Sequence, residues 1–173
     1  MTKTLVGEML KEMRGEQTQL SLGLDINTTR ETVSKYENGR SKVPSDISRT
    51  LVKKFDNAKF AITVRNEYTG TGPKWLDGPN VDLHRSSVKE KTVEEMKEAL
   101  DLIVNTCLAK PLKKLQHFEL QSVDSMLQEA VEAITALDHF IAVVCKEAEI
   151  SYTEVWDKHY KALMSAGYLG GTK

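Results

Sequence analysis

The segment Ser122–Ala148 constrains the fold most strongly. Its apolar residues recur at Val123, Leu127, Ala130, Ile134, Leu137, Ile141, Val144 and Ala148, with spacings that alternate four and three. A mean step of about 3.5 residues suits an α-helix that keeps one stripe against neighbouring helices. It cannot serve a strand, whose faces alternate every two residues. Met126, Val131, Phe140 and Cys145 widen the stripe, which implies packing on more than one helix. A helix this long carries more apolar seam than one small bundle uses. Val123, Leu127, Ile134, Leu137, Ile141 and Val144 are therefore assigned to dimerisation, and the chain is expected to be all-α with a long helix in its second half.

The flanking segments extend that reading. Thr92 with Glu95 has the spacing of a capping box, and a helix is predicted from there to about Leu108, with Val93, Met96, Leu100, Ile103, Val104 and Cys107 on its inner side. Pro111 ends it or restarts a short segment through His117. A second capping box, Ser151 with Glu154, opens a last helix whose inner face is Tyr152, Val155, Trp156, Tyr160 and Leu163, and Gly167 stops it. These helices make residues 92–173 a helical dimerisation or partner-binding domain. Before them, Gly70–Pro79 holds three of the ten glycines and two of the four prolines. Such residues interrupt regular structure, so residues 69–91 are read as a connector. Trp75, Leu76, Val81 and Leu83 within it argue for packing along a neighbouring surface rather than a loose tether.

Residues 1–68 read as five short helices. Leu5–Met13 ends at Gly15. Gln17–Asp25 follows, with Leu20, Leu22 and Leu24 as candidates for burial. Asn27 suits a sharp turn because Asn tolerates left-handed backbone, and Thr28 or Thr29 can cap the next helix. That third helix runs to Tyr36, with Val33 and Tyr36 inward, and Asn38-Gly39 stops it. The fourth and fifth are predicted at Asp46–Phe55 and Asn57–Tyr68. Charge divides along the chain as well. Residues 1–65 carry 12 Lys and Arg against 8 Asp and Glu, whereas residues 66–173 carry 12 against 17. The formal net charge of −1 therefore excludes indiscriminate coating of nucleic acid by bulk charge, but not a basic reading head joined to an acidic body.

Gln19 through Asn38, QLSLGLDINTTRETVSKYEN, resembles the helix-turn-helix of Cro/cI-type phage repressors, the XRE family of regulators. Gln19 opens the first helix of the motif, Gly23 stands where the two helices touch, and Asn27 takes the place of the turn glycine. Val33 and Tyr36 match the apolar sites that hold the recognition helix down. Tyr36-Glu37-Asn38-Gly39-Arg40 resembles the segment leaving that helix, and Arg14 with Glu37 resembles an Arg–Glu pair that links it to the first helix. The resemblance implies a five-helix, lambda-repressor-like DNA-binding domain. The arrangement of the second half, including LDGPNVDLHRSS and the ending SYTEVWDKHYKALMSAGYL, is similar to regulators carried by phages of Gram-positive bacteria.

An α-helix fits the major groove, where each base pair shows its own donor and acceptor pattern. The outward residues of the third helix are Thr29, Arg30, Glu31, Ser34 and Lys35. Arg30 could donate two bonds to a guanine edge, Glu31 could accept from cytosine, and Lys35 reaches guanine or a phosphate. Gln19, Thr28, Asn38, Arg40 and Lys42 are assigned to phosphate contacts, which set register without reading sequence. One recognition helix reads only a few base pairs, so a homodimer on a palindromic double-stranded operator is expected. A sequence-specific repressor of a phage or mobile element, blocking a promoter, is the resulting expectation. A protein or peptide inducer fits it, since no Ser and Lys pair stands in a recognisable self-cleavage context.

Other classes find less support. MTKTLVGEML lacks the apolar core of a signal peptide, and residues 134–145 are interrupted by Asp138 and His139, so a soluble cytoplasmic protein without membrane partners is expected. Cys107 and Cys145 lie in helix-like apolar contexts and are read as reduced core residues. His84, His117, His139 and His159 lack ligand spacing with one another or with the cysteines, so no metal site and no cofactor are expected. No phosphate-cradling loop or nucleophile motif marks an enzyme. Two alternatives remain. One is an antitoxin or anti-regulator acting through protein contacts. The other is a Mg²⁺-dependent all-α nucleotide pyrophosphohydrolase resembling MazG, using Glu94, Glu95, Glu98, Asp101, Glu129 and Glu132.

Overall fold

A computed structural model describes residues 5–170. The described residues form eight α-helices and no strand: α1 Leu5–Arg14, α2 Gln19–Asp25, α3 Arg30–Glu37, α4 Ser45–Phe55, α5 Ala58–Thr69, α6 Arg85–Asn105, α7 His117–Glu147 and α8 Tyr152–Ser165. The protein is all-α, as the apolar periodicity predicts. None of the described helices is long and apolar enough to cross a membrane.

The helices group into two units. Among the described residues, one comprises 5–72 together with 148–170, and the other is Pro73–Glu147. The expected division at residue 92 therefore needs correction, since α8 belongs with α1–α5 rather than with α6 and α7. One side chain contributes directly to this grouping. Asp56 ends α4 in left-handed backbone (φ 45°), and its carboxylate accepts the N–H groups of Tyr152 at 3.1 Å and Thr153 at 2.8 Å. These are orphan donors at the start of α8. Ser151 caps the same end by accepting from Glu154 N–H at 3.1 Å, as its capping-box spacing predicts.

The core of the first unit gathers Leu10 from α1, Leu22 from α2, Val33 and Tyr36 from α3, Leu51 from α4, and Phe60 and Val64 from α5. Leu20 and Leu24, expected to share in it, are 57% and 73% exposed. A seven-residue helix turns only one narrow stripe inward, and in α2 Leu22 and Gly23 occupy it.

In the second unit α6 and α7 run antiparallel. Arg85 pairs with Glu147 at 3.1 Å, and further along Thr92 Oγ1 donates to the Ala136 carbonyl at 3.2 Å. The start of α6 differs from expectation. His84 caps it by accepting from Ser86 N–H, so the helix begins seven residues before Thr92, inside the predicted connector. Thr92 lies mid-helix, and its hydroxyl donates to the Val88 carbonyl at 2.7 Å, a local bond that a β-branched hydroxyl makes as readily as a cap. The rest of the connector packs only in part: Trp75, Val81 and Leu83 are half-buried, whereas the Leu76 side chain is 42% exposed. Trp75 lies 5.0 Å from the ring of His139 between centroids, and Leu76 N–H donates to His139 Nε2 at 3.0 Å. The other ring nitrogen, Nδ1, lies 2.8 Å from the Thr135 carbonyl. The accepting Nε2 therefore assigns the proton to Nδ1.

The face that α6 turns toward α7 is not the apolar one. Val88, Thr92, Glu95 and Ala99 are buried, while Val93, Met96, Leu100, Ile103 and Val104, expected inward, are 44–72% exposed. Two stripes compete on this helix, and the one with smaller side chains takes the contact. Ala99 meets a helix whose buried positions include Ala133 and Ala142, and small residues let helix axes approach. Cys107, expected in the core, is exposed beyond the end of α6, whereas Cys145 is buried.

Candidate nucleic-acid interface

Helices α2 and α3 meet at a turn built from specific backbone needs. Asn27 adopts φ +54°, the left-handed conformation expected of it. Thr28 N–H donates to the Gly23 carbonyl at 2.7 Å, drawing the turn onto α2. A Cβ at position 23 would stand 2.8 Å from the Thr28 carbonyl oxygen and 3.2 Å from the Thr29 carbonyl carbon. Both are backbone atoms, so this approach admits glycine and nothing larger without a shift. Of the two candidate caps, Thr29 is the one used, accepting from Thr32 N–H at 3.2 Å.

Burial then sorts α3 into two faces. Val33, Tyr36 and Glu37 are buried. Thr29, Arg30, Glu31 and Lys35 are exposed, and Ser34 is half-buried. Of the five predicted base-reading residues, Arg30, Glu31 and Lys35 lie on the side of α3 that the core leaves open, Ser34 lies at its edge, and Thr29 precedes the helix as its cap.

Glu37 anchors this helix. It is 4% exposed, and its Oε1 lies 2.5 Å from Arg14 Nε. Its Oε2 accepts from Arg14 Nη2 at 3.3 Å and from Gln19 Nε2 at 2.7 Å. Arg14 Nη1 also donates to the Gln17 carbonyl. A buried carboxylate needs such partners to remain in place. One acidic side chain thus ties α1, the start of α2 and the end of α3 together.

The predicted phosphate contacts divide by what else they do. Arg40 and Lys42 are exposed on the segment after α3. The N–H groups of Arg40 and Ser41 both donate to the Lys35 carbonyl, at 2.8 and 3.3 Å, which fixes where that segment leaves the helix. Thr28 is half-buried at the turn. Gln19 commits one amide N–H to Glu37, leaving the second of its two donors for another partner. Asn38 Nδ2 donates to the Ser34 carbonyl at 2.7 Å and to Ser34 Oγ at 3.3 Å, so its amide closes the end of α3 instead of projecting from it.

No protein-family model matches the chain, and no match is found among curated proteins or solved structures.

The residues assigned to dimerisation occupy a second surface. Leu127 and Ile134 are exposed, while Val123, Leu137, Ile141 and Val144 are half-buried. The exposed α6 stripe of Val93, Met96, Leu100 and Ile103 is as regular as the α7 seam, with steps of three, four and three. Apolar spacing predicts that such a stripe is covered, but not by which neighbour. The polar but equally periodic series Val88, Thr92, Glu95 and Ala99 carried the missing signal.

Proposed function

We propose that the chain is a sequence-specific DNA-binding transcriptional regulator of the Cro/cI type, acting in the cytoplasm as a dimeric repressor of a phage or mobile element. In this reading α3 enters the major groove of double-stranded DNA. The arrangement of α2 and α3 supports it most directly: a left-handed turn, a glycine-only helix contact, and an α3 with Val33 and Tyr36 inward and Arg30, Glu31 and Lys35 outward, preceded by its exposed cap Thr29. Arg30 and Lys35 offer the donors that guanine edges accept, and Glu31 the acceptor that cytosine needs. Arg40 and Lys42, just beyond the helix, suit the phosphates beside the groove.

Dimerisation follows from the same reading. Two reading helices related by symmetry recognise a palindrome with half-sites about one helical turn apart or a multiple of it. The exposed apolar stripes of α6 and α7 would supply the contact between copies.

Selection of bound sequences from a random DNA pool tests the reading, because it reports binding, site symmetry and preferred bases together. On the selected site, Arg30→Ala is expected to cost about 1–3 kcal/mol and to relax preference at one base pair. Lys42→Ala should instead weaken all sequences alike and flatten the salt dependence. Wild-type affinity in both Arg30→Ala and Lys35→Ala would refute the assignment of α3 as the reader.

A further inference from the structure

The α6–α7 pair brings together carboxylates that DNA reading does not use. Glu95 on α6 and Glu129 and Glu132 on α7 each offer an oxygen, and these oxygens lie within 4.8 Å of one another. The antiparallel pairing sets position 95 opposite 129–132, and three-residue spacing puts both α7 carboxylates on one side of that helix.

Glu95 is only 5% exposed. Its Oε1 meets Lys91 Nζ at 2.6 Å, but its buried Oε2 has no hydrogen-bond partner, and neither has the buried Oε2 of Glu129. A charged oxygen removed from water without a partner is costly, so two of them side by side call for a compensating ligand. Lys91 is already divided, since its ammonium also holds Glu94 at 2.9 Å.

We infer that Glu95, Glu129 and Glu132 form a binding site for a hard divalent cation. An all-carboxylate donor set selects hard ions such as Ca²⁺, Mg²⁺ or Mn²⁺ over thiophilic metals. Oxygens on opposite sides of Ca²⁺ stand about 4.6–5.2 Å apart, against about 4.0–4.2 Å for Mg²⁺. Pairwise separations within 4.8 Å fall inside the span that oxygens sharing one Ca²⁺ can have, and a smaller ion would need them drawn closer. Access is open. Glu95 and Glu132 line a cavity of about 510 Å³, together with Asn80, Asp82, Ser87 and Lys91, which leaves room for water to complete the coordination shell. The bound ion would clamp α6 to α7 at a point where their contact is polar.

Titration of the full chain with MnCl₂, followed by the paramagnetic resonance of free Mn²⁺, and with CaCl₂ by calorimetry tests the site. One ion per chain should bind, and the thermal midpoint should rise with added cation and fall back on chelation. Glu129→Gln is expected to weaken binding roughly tenfold or more. Glu132→Gln should do the same from an exposed position where the fold is not at risk. Glu90→Gln, exposed and outside the cluster, should bind as wild type does. No binding by the wild type at about 1 mM cation, or binding that survives both Glu129→Gln and Glu132→Gln, would overturn the site. These measurements use no DNA, so their failure would leave the DNA-binding reading untouched.

Discussion

Gly23 shows how one missing methyl can decide a geometry. In the middle of a helix, glycine costs about 1 kcal/mol relative to alanine, so propensity alone would favour Gly23→Ala. The structure reverses that sign, because the added Cβ would meet the Thr28 carbonyl oxygen at 2.8 Å. Overpacking against backbone costs about 1–3 kcal/mol, and the obstacle here is the turn itself. Gly23→Ala should therefore lower the urea midpoint of unfolding and weaken DNA binding with it, by moving Thr28 and Thr29. A variant of wild-type or greater stability would show that the turn relaxes freely. Glu37 illustrates the same dependence on neighbours. As a sequence position it resembles part of a pair with Arg14, but its second oxygen also takes Gln19, a link that appears only once α1, α2 and α3 are assembled.

Helix α8 is held by a cap from ninety-odd residues away, and this gives it a pH dependence of its own. Burial of Asp56 works against its ionisation. Hydrogen bonds from Thr153, Ser151 and Tyr152 outweigh that burial and hold its carboxyl below the ordinary value of 3.8. A carboxylate with a depressed folded-state pKa stabilises the fold above its unfolded value, and that contribution is lost as pH falls through the folded value. Asp56→Ala should thus cost about 0.5–2 kcal/mol near neutral pH, the usual range for losing a cap. The gap between variant and wild type should close below about pH 3.8. Trp156 lies on α8, so its fluorescence in a Trp75→Phe background reads this helix separately. A gap that persists unchanged into acid would mean that the Asp56 charge contributes nothing. Helix α6 makes the complementary point. Its apolar stripe is strong, yet contact with α7 goes to Thr92, Glu95 and Ala99, leaving Leu100 58% exposed.

For the whole chain, that exposed stripe carries the dimer prediction. Leu100→Asp places a charge among Met96, Ile103 and Val104 without touching the buried face of α6. Light scattering of the full chain should give twice the chain mass for wild type and a single chain mass for Leu100→Asp, with helicity unchanged. Monomeric wild type at tens of micromolar would remove this interface, though not the groove-reading role of α3. Charge is also distributed differently from the linear division at residue 65. Residues 5–72 and 148–170 together carry 13 basic against 12 acidic side chains, while residues 73–147 carry 9 against 13. The first unit is therefore nearly neutral, and attraction to phosphate must come from the local group of Arg30, Lys35, Arg40 and Lys42. Local attraction of this kind favours particular contacts over general adhesion.

Periodicity and punctuation are enough to read the all-α class, a long helix in the second half, five short helices at the start, and Arg30, Glu31 and Lys35 as exposed residues of α3. Each depends on neighbours within a turn or two: a stripe at 3.5-residue spacing, Asn27 in left-handed backbone, Gly39 and Gly167 at helix ends. The sequence also showed every apolar stripe but not which helix would cover it. Thus periodicity groups α8 with α7, whereas Asp56 ties it to α4. The capping-box spacing points to Thr92 as the start of α6, whereas His84 caps a helix that begins seven residues earlier. The meeting of Glu95 with Glu129 and Glu132 depends on the register of two helices joined by an eleven-residue connection, and no local rule sets that register. Helix formation is decided by backbone hydrogen bonds within four residues. Helix pairing is decided by side chains far apart in the chain, and on α6 the smaller and more polar of two equally periodic faces packed closer.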